Sequence, residues 1–225
     1  MTIFTPINNA VNKQEFKISN LELAQWMNAI RELKSHDDRT RALDALWSGQ
    51  LASKGWLVNH ITDFIDPKLP VNIYIFGGWI GILGSMLLQA DKLTIGKIRS
   101  IDIDPWCEPI ADTINKRFEM DDWRFKAVTA DMDTYHYQSD ITPDIVINTS
   151  TEHVTQEVYD SWYSKVPVGT LVLIQGNNFF SCDEHIRCSK SLDEFKIQNR
   201  VTNEYWSGEL ETDMYTRYMC IWRKQ

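Results

Sequence analysis

The spacing of hydrophobic positions changes near residue 70 of the chain. Between Leu21 and about Phe64 these positions recur every three to four residues, a period that predicts amphipathic helices. The helical pattern ends at Asp66-Pro67, since the residue before a proline disfavours helical backbone. We therefore predict an N-terminal helical lobe over residues 1–70, followed by a second domain over residues 71–225.

Short apolar runs alternate with helical ones from Val71 onward, a pattern typical of βαβ units and a parallel sheet. The predicted strands are Val71 to Phe76, Ile98 to Ile103, Trp123 to Thr129, Asp144 to Asn148 and Gly169 to Ile174. The predicted helices of this part are about Ile80 to Ala90, Pro105 to Phe118, Thr155 to Lys165 and Leu192 to Gln198. Two antiparallel strands should follow, Asn199 to Ser207 and Met214 to Arg223, joined through Gly208. The predicted fold is α/β, a doubly wound, mostly parallel seven-stranded sheet ending in an antiparallel hairpin.

The composition is that of a globular protein. A chain of 225 residues with 43% hydrophobic content can bury a substantial core. It contains no apolar stretch of about 18 residues, and its first residues lack the apolar region of a signal peptide, so we expect a soluble, cytoplasmic protein without a membrane partner. The net charge of −8 disfavours nonspecific binding to nucleic acids. The oligomeric state is not predicted.

The four cysteines are expected to be reduced thiols, at least one of them on a buried strand, because no CxxC pair occurs. Cys182, His185 and Cys188 have the residue types of soft metal ligands. A fourth ligand is not evident among their neighbours, however. We interpret the segment as a polar loop near the ligand cleft and predict no metal site.

A glycine-rich turn, Gly77-Gly78-Trp79-Ile80-Gly81, follows the first predicted strand. Glycines let main-chain N–H groups approach a ligand closely, and the next helix presents its positive N-terminal end to the same place. Such turns also close βα units that bind nothing. The turn predicts a ligand site only together with other residues.

Polar residues collect at the ends of the other predicted strands, which form one edge of a parallel sheet. An acidic residue about 20 to 25 positions beyond the turn can accept hydrogen bonds from ribose hydroxyls, and Asp102 fits that role. Asp104 competes with it, although it could instead cap the helix beside Pro105. Asp131, after the third strand, is a candidate for binding an adenine amino group or is an ordinary loop carboxylate.

These segments, together with Ala130-Asp131-Met132 and Asp144 to Asn148, resemble class I S-adenosylmethionine-dependent methyltransferases over about Val71 to Arg223. The resemblance implies S-adenosylmethionine as cofactor. It places the methionine end on the turn, the ribose on Asp102 and the adenine at Asp131. The cofactor residues implied in this way are Gly77, Gly78, Trp79, Gly81, Asp102, Asp131, Met132 and Asn148.

Two positions differ from the pattern of that family. Ile75 stands where the family usually has an acidic residue, and Trp79 stands at the central glycine of the turn. Trp79 either holds the sulfonium or adenine with its ring face or packs in the core.

The acceptor side of the site is predicted after the fourth strand. Methyl transfer requires alignment of the acceptor and, for some acceptors, removal of a proton. Glu152 and His153 are the predicted catalytic pair. The alternative is a helix N-terminal anion beside a cap-region imidazole. Residues of the next loop either close over the acceptor or are solvated, namely Asn177, Asn178, His185 and Arg187.

A small-molecule acceptor is favoured over a nucleic acid. Relatives that methylate base amino groups usually carry prolines and an aromatic residue where this chain has Asn148-Thr149-Ser150-Thr151. Aromatic residues late in the chain either line an acceptor pocket or fill the hairpin face, namely Phe179, Phe180, Tyr205, Trp206 and Tyr215. The alternatives are transfer of another cofactor-derived group, as in polyamine or nicotianamine synthases, and a noncatalytic nucleoside-binding module. An NAD-dependent reductase fits less well.

Overall fold

The computed structural model describes residues 17–90, 93–119, 122–137 and 141–225. The helices of these residues are α1 Asn20–Arg31, α2 His36–Asp44, α3 Ser48–Ile61, α4 Ile82–Gln89, α5 Cys107–Ile114, α6 Gln156–Lys165 and α7 Leu192–Gln198. The strands are β1 Val71–Phe76, β2 Ile95–Asp102, β3 Phe125–Thr129, β4 Ile145–Asn148, β5 Leu171–Asn177, β6 Trp206–Glu211 and β7 Thr216–Arg223. Short 3₁₀ turns are formed by Thr62–Phe64, Lys116–Phe118 and Thr151–His153.

All seven strands belong to one sheet, in the order β3-β2-β1-β4-β5-β7-β6. Strands β1 to β5 pair in parallel, and β7 lies antiparallel between β5 and β6. The strand order reverses beside β1, which has β2 on one side and β4 on the other. The predicted fold class is confirmed, and this reversal is where doubly wound sheets open a ligand crevice.

The first strand and the turn of the predicted terminal hairpin are wrong, whereas its second strand, predicted over Met214 to Arg223, is observed as Thr216–Arg223. Asn199 ends α7, where its side-chain amide donates to the Phe195 carbonyl at 2.6 Å, and the strand begins only at Trp206. Gly208 lies inside β6 opposite Met219, so it does not form the turn. A Cβ atom on Gly208 would overlap the Trp206 indole, and the glycine therefore makes room for a ring. The chain reverses instead between β6 and β7, at residues 212–215.

The two faces of the sheet bury separate hydrophobic clusters. The first cluster lies under α1 to α5 and includes Trp26, Ala42 and Leu57 from the three N-terminal helices. The second lies under α6 and α7 and includes Trp162 and Phe195. The helices before β1 thus share a core with the sheet, while the division of the chain at residue 70 stays a prediction.

A buried carboxylate fixes α1 against its neighbours. Glu22 is fully buried, and its Oε1 accepts hydrogen bonds from Ser85 Oγ at 2.5 Å and from Trp26 Nε1 at 3.1 Å. Its Oε2 forms an ion pair with Arg117 at 2.6 Å. A second polar link joins α3 to β5, where Ser53 Oγ donates to Gln175 at 3.0 Å. These bonds set the position of the N-terminal helices beside the strand ends.

Candidate functional site

A cleft of about 920 Å³ opens at the carboxyl ends of the parallel strands. Its volume is near the upper end of the range for small-molecule sites. Eight of the predicted site residues line it, namely Gly77, Gly78, Trp79, Asp102, Asp131, Met132, Glu152 and His153. Another depression, of about 700 Å³, lies at the opposite edge beside Val71 and Leu171. Ligands of parallel α/β sheets bind at the carboxyl ends, so the first cleft is the candidate site.

The glycine-rich turn needs its glycines for backbone shape and close packing. Gly77 and Gly81 have φ angles of 64° and 77°, in the left-handed region that favours glycine. A Cβ atom on Gly77 would overlap the Ser150 side chain, and one on Gly78 would overlap Ser100. Gly81 is buried at the start of α4, where it shapes the turn, and it does not line the cleft. Its predicted contact with the cofactor stays a prediction.

Trp79 occupies a strained position in this turn. Its φ angle is 48°, which is rare for a bulky residue and explains why a glycine is the usual choice at this place. The side chain is half-buried and packs against the core of the first sheet face, which is one of the two predicted alternatives. It also lines the cleft, so the second alternative stays open.

Asp102 connects the end of β2 to the glycine turn. One carboxylate oxygen accepts from the Trp79 backbone N–H at 2.8 Å and the other from the Asp104 N–H at 3.1 Å. The side chain is half-buried and borders the cleft. Its remaining lone pairs are available to a ligand hydroxyl, as the prediction of a ribose contact requires.

Asp104 has a different environment from Asp102. Its carboxylate pairs with Arg41 and accepts from the Trp106 N–H at 2.9 Å, which caps the turn before α5. The hydrogen bond from Arg41 lowers the pKa of Asp104 below its ordinary value. Asp104 does not line the cleft, which favours the capping alternative. Arg41 itself borders the cleft and lies over the Trp106 ring at 4.1 Å, a contribution of α2 that the sequence did not reveal.

Asn148 lies beneath the cleft and not in its wall. It is fully buried, its Oδ1 accepts from the Ser150 N–H at 3.0 Å, and its amide contacts the Met132 sulfur at 3.9 Å. These contacts support the loop after β4, and the predicted contact of Asn148 with the cofactor stays a prediction. Asp131 and Met132 do border the cleft, and the Asp131 carboxylate accepts from the Asp133 N–H at 2.8 Å.

Glu152 is held by two neighbouring strands. It is 2% exposed, and its Oε1 accepts from Arg217 Nη1 at 2.5 Å and from Asn177 Nδ2 at 2.6 Å. Arg217 Nη2 also donates to the Thr149 carbonyl at 2.7 Å. Glu152 belongs to the 3₁₀ turn before α6, whose cap is Thr155, so the alternative of a helix N-terminal anion is wrong.

Two imidazoles lie beside this carboxylate. His153 is exposed, His185 is half-buried, and their ring centroids are 4.7 Å apart in an edge-to-face arrangement. Burial lowers the pKa of His185 below its ordinary value, an effect that the Glu152 charge opposes. His185 therefore comes from the loop after β5 to join the predicted pair from the loop after β4.

The C-x-x-H-x-x-C segment does not gather as a set of ligands. Cys188 is buried, its thiol donates to Asn177 Oδ1 at 3.3 Å, and burial raises its pKa to about 11. Only His185 of this segment belongs to the one group of three potential ligands found among the described residues. All four cysteines are free, and Cys220 is fully buried on β7, as predicted.

Aromatic rings form a wall on the acceptor side of the cleft. Phe179 and Tyr215 are stacked at 5.5 Å, and Trp47 lies 6.3 Å from Tyr215. All three border the cleft. The other predicted aromatics lie elsewhere, because Phe180 is exposed and Tyr205 stacks on Phe64. The cleft therefore has a planar aromatic surface, although no aromatic residue directly follows β4.

Lys54 adds a charge that the sequence did not predict. It lines the cleft from α3, is 8% exposed, and donates to Gln50 Oε1 at 2.6 Å. Burial, together with the nearby Arg217 charge, lowers its pKa to about 7.

Two loop residues proposed to close over an acceptor have structural contacts instead. Asn178 accepts from the Thr216 N–H, and Arg187 is buried over the Tyr159 ring.

Comparison with known proteins finds similarity in structure only. No protein-family model matches the chain, and no curated protein is significantly similar to it. The N-methyltransferase NodS from Bradyrhizobium japonicum WM9, in complex with S-adenosyl-L-homocysteine, superposes with a TM-score of 0.61 at 12% identity, over 89% of this chain and 98% of NodS. The magnesium protoporphyrin IX methyltransferase ChlM from Synechocystis PCC 6803, with bound S-adenosylmethionine, gives 0.57 at 14% identity, over 92% of each chain.

A third solved structure, the S-adenosylmethionine-dependent methyltransferase SibL, gives a TM-score of 0.57 at 14% identity, over 93% of this chain and 71% of SibL. The chain has the fold of these methyltransferases. The described residues form no helix that is both long and apolar enough to cross a membrane.

Proposed function

We propose that the protein is an S-adenosylmethionine-dependent methyltransferase that acts on a small-molecule acceptor. The main support is one cleft at the carboxyl ends of the strands, with the glycine turn and Asp102 on one side and Glu152 and His153 on the other. The solved structures with this fold include proteins crystallised with S-adenosylmethionine or S-adenosylhomocysteine.

The cofactor is assigned to the side of the cleft near β1, β2 and β3. Gly77, Gly78 and Trp79 would face the methionine end, and Asp102 would accept hydrogen bonds from the ribose hydroxyls. Asp131 and Met132 would border the adenine. This assignment is supported by the cleft-lining positions of all six residues.

The acceptor is assigned to the side of the cleft near β4, β5 and β7. Methyl transfer from a sulfonium is an in-line displacement, so the protein must hold the acceptor atom opposite the cofactor's methyl group. The wall of Trp47, Phe179 and Tyr215 favours an acceptor with a planar or apolar part. The net charge of −8 favours a small acceptor over a nucleic acid. Glu152 and His153 are proposed to act on the acceptor.

The proposal is tested by incubating the purified protein with S-adenosylmethionine and a library of small acceptors, and by identifying products and by-products by mass spectrometry. We expect a product heavier by one methylene unit together with S-adenosylhomocysteine. Methylthioadenosine as the by-product would indicate transfer of another group. Methylation of RNA or DNA without activity on any small acceptor would contradict the proposed acceptor class.

A further inference from the structure

The acceptor side of the cleft gathers a set of side chains suited to a metal ion. Each of Glu152, His153 and His185 offers one ligand atom, and these atoms lie within 4.8 Å of one another. Three atoms bound to one ion at about 2.1 Å stand roughly 3 to 3.5 Å apart. A modest rotation of side chains, easiest for the exposed His153, would therefore complete the set.

Glu152 has a buried oxygen without a hydrogen-bond partner, which a metal ion could bind. Arg217 and Asn177 both bind its Oε1, whereas Oε2 is buried and has no hydrogen-bond partner. A buried carboxylate oxygen without a donor is destabilising, and a cation would compensate for it. Hydrogen bonds to the other oxygen are the kind of outer contact that orients ligating carboxylates.

His185 also has a buried polar atom without a hydrogen bond. Its Nδ1 is buried and has no hydrogen-bond partner, although the ring lies beside His153. Ring packing alone would explain the contact between two imidazoles. It would not explain why an unpartnered carboxylate oxygen and an unpartnered ring nitrogen belong to the same group of three residues.

We propose that Glu152, His153 and His185 bind a divalent transition-metal ion. Two imidazoles and one carboxylate suit Zn²⁺, Fe²⁺ or Co²⁺, whereas Mg²⁺ and Ca²⁺ prefer oxygen ligands throughout. The Arg217 charge beside Glu152 reduces the negative charge of the site, so the two imidazoles carry much of the selectivity. The expectation of no metal site weighed His185 only together with the two cysteines and did not consider Glu152 or His153 as ligands.

Three protein ligands leave coordination positions open, as in catalytic metal sites, and all three residues border the cleft. An acceptor hydroxyl bound at an open position would lose its proton more readily to solvent water, and its oxygen would then take the methyl group as the carbon–sulfur bond breaks and S-adenosylhomocysteine leaves. Glu152 and His153 would then act through the ion and not as free bases. This part of the inference rests on the proposed function, whereas binding of the ion does not.

The test is a titration of the tag-free, metal-free protein with Co²⁺, without S-adenosylmethionine, followed by visible absorption and calorimetry. We expect one saturable ion per chain, displaced by Zn²⁺ and not by an equal concentration of Mg²⁺. His153→Ala and His185→Ala should each weaken binding at least about tenfold, and Glu152→Gln should also weaken it. His36→Ala, which removes an exposed imidazole on α2, is the matched control and should bind like the wild type.

Titration of the same variants with S-adenosylmethionine reports separately whether the cofactor side of the cleft is intact. His153 is exposed, so its replacement should not unfold the protein. The proposal is overturned if millimolar Co²⁺ gives no saturable binding of one ion per chain. It is equally overturned if His153→Ala and His185→Ala bind Co²⁺ as tightly as His36→Ala.

Discussion

Glu22 and Glu152 are both buried glutamates paired with an arginine, yet their surroundings differ. Glu22 lies between helices, where its Oε1 accepts from Ser85 and Trp26, and its Oε2, which has no other partner, is ion-paired with Arg117 at 2.6 Å. Glu152 lies in a turn at the sheet edge, and only one of its oxygens has partners. Burial and an ion pair alone therefore do not distinguish a structural carboxylate from a functional one. The two differ in where the ion pair falls: Arg117 reaches the Glu22 oxygen that has no hydrogen bond, whereas Arg217 shares the Glu152 oxygen already bound by Asn177, and only Glu152 belongs to a group of potential metal ligands among the described residues.

The largest effect on stability is expected from Glu22→Ala. It removes the acceptor of two buried donors and leaves Arg117 without its partner, which should lower the free energy of unfolding by about 2 to 4 kcal/mol. Urea unfolding measures this change. Glu32→Ala, at the exposed end of α1, is the control and should change stability by less than about 0.5 kcal/mol. Folded Glu22→Ala should retain the cofactor affinity of the wild type, and a selective loss of that affinity would contradict its structural role.

Glu152→Gln should act mainly on turnover, whereas Glu22→Ala should act mainly on stability. The amide oxygen can still accept from Asn177, while the charge needed at the acceptor side is lost. We expect turnover to fall about 100-fold or more, with S-adenosylmethionine affinity unchanged. Glu157→Gln, an exposed substitution on α6, should keep full turnover. If Glu152→Gln lost stability as Glu22→Ala does and kept its turnover, the two carboxylates would have the same structural role.

A smaller effect concerns Lys54, which is buried near the Glu152 and Arg217 pair. Its pKa falls from the ordinary value of 10.5 to about 7 on folding. Between pH 7 and 9 the unfolded chain holds a proton there that the folded protein has lost, so stability should rise with pH by up to about 1.4 kcal/mol per unit. Lys54→Met should remove this rise, and the exposed Lys68→Met should keep it. Identical pH dependence of unfolding in the two variants would show that Lys54 does not lose its proton there.

The sequence predicted most of the sheet because buried parallel strands are short apolar runs, and the bounds of β1 were predicted as observed. It also predicted the polar edge, since carboxyl ends of parallel strands meet at one side. The predicted turn of the hairpin was wrong because Gly208 lies inside β6, where its missing side chain leaves room for the Trp206 indole. A glycine in the sequence does not by itself show whether it forms a turn or makes room for a bulky neighbour.

The partners of Glu152 were beyond prediction for a physical reason. Arg217 and Lys54 come from β7 and α3, and no spacing rule along the chain brings distant elements together. A signal was nevertheless present in β7, where a charged residue stands at the start of the run Arg217 to Trp222, all of it buried. A buried arginine requires a buried acceptor, and Glu152 was one of the carboxylates predicted at that sheet edge.

The most direct measurement is a calorimetric titration of the wild type, Asp102→Ala and Asp104→Ala with S-adenosylmethionine. The wild type should bind one molecule per chain. Asp102→Ala should lose hydrogen bonds worth about 1.5 to 3 kcal/mol each and bind at least tenfold more weakly. Asp104→Ala, which lies outside the cleft, should stay close to the wild type. Absence of binding by the wild type at millimolar cofactor would contradict the proposed cofactor, and loss of affinity in Asp104→Ala alone would contradict the proposed ribose contact.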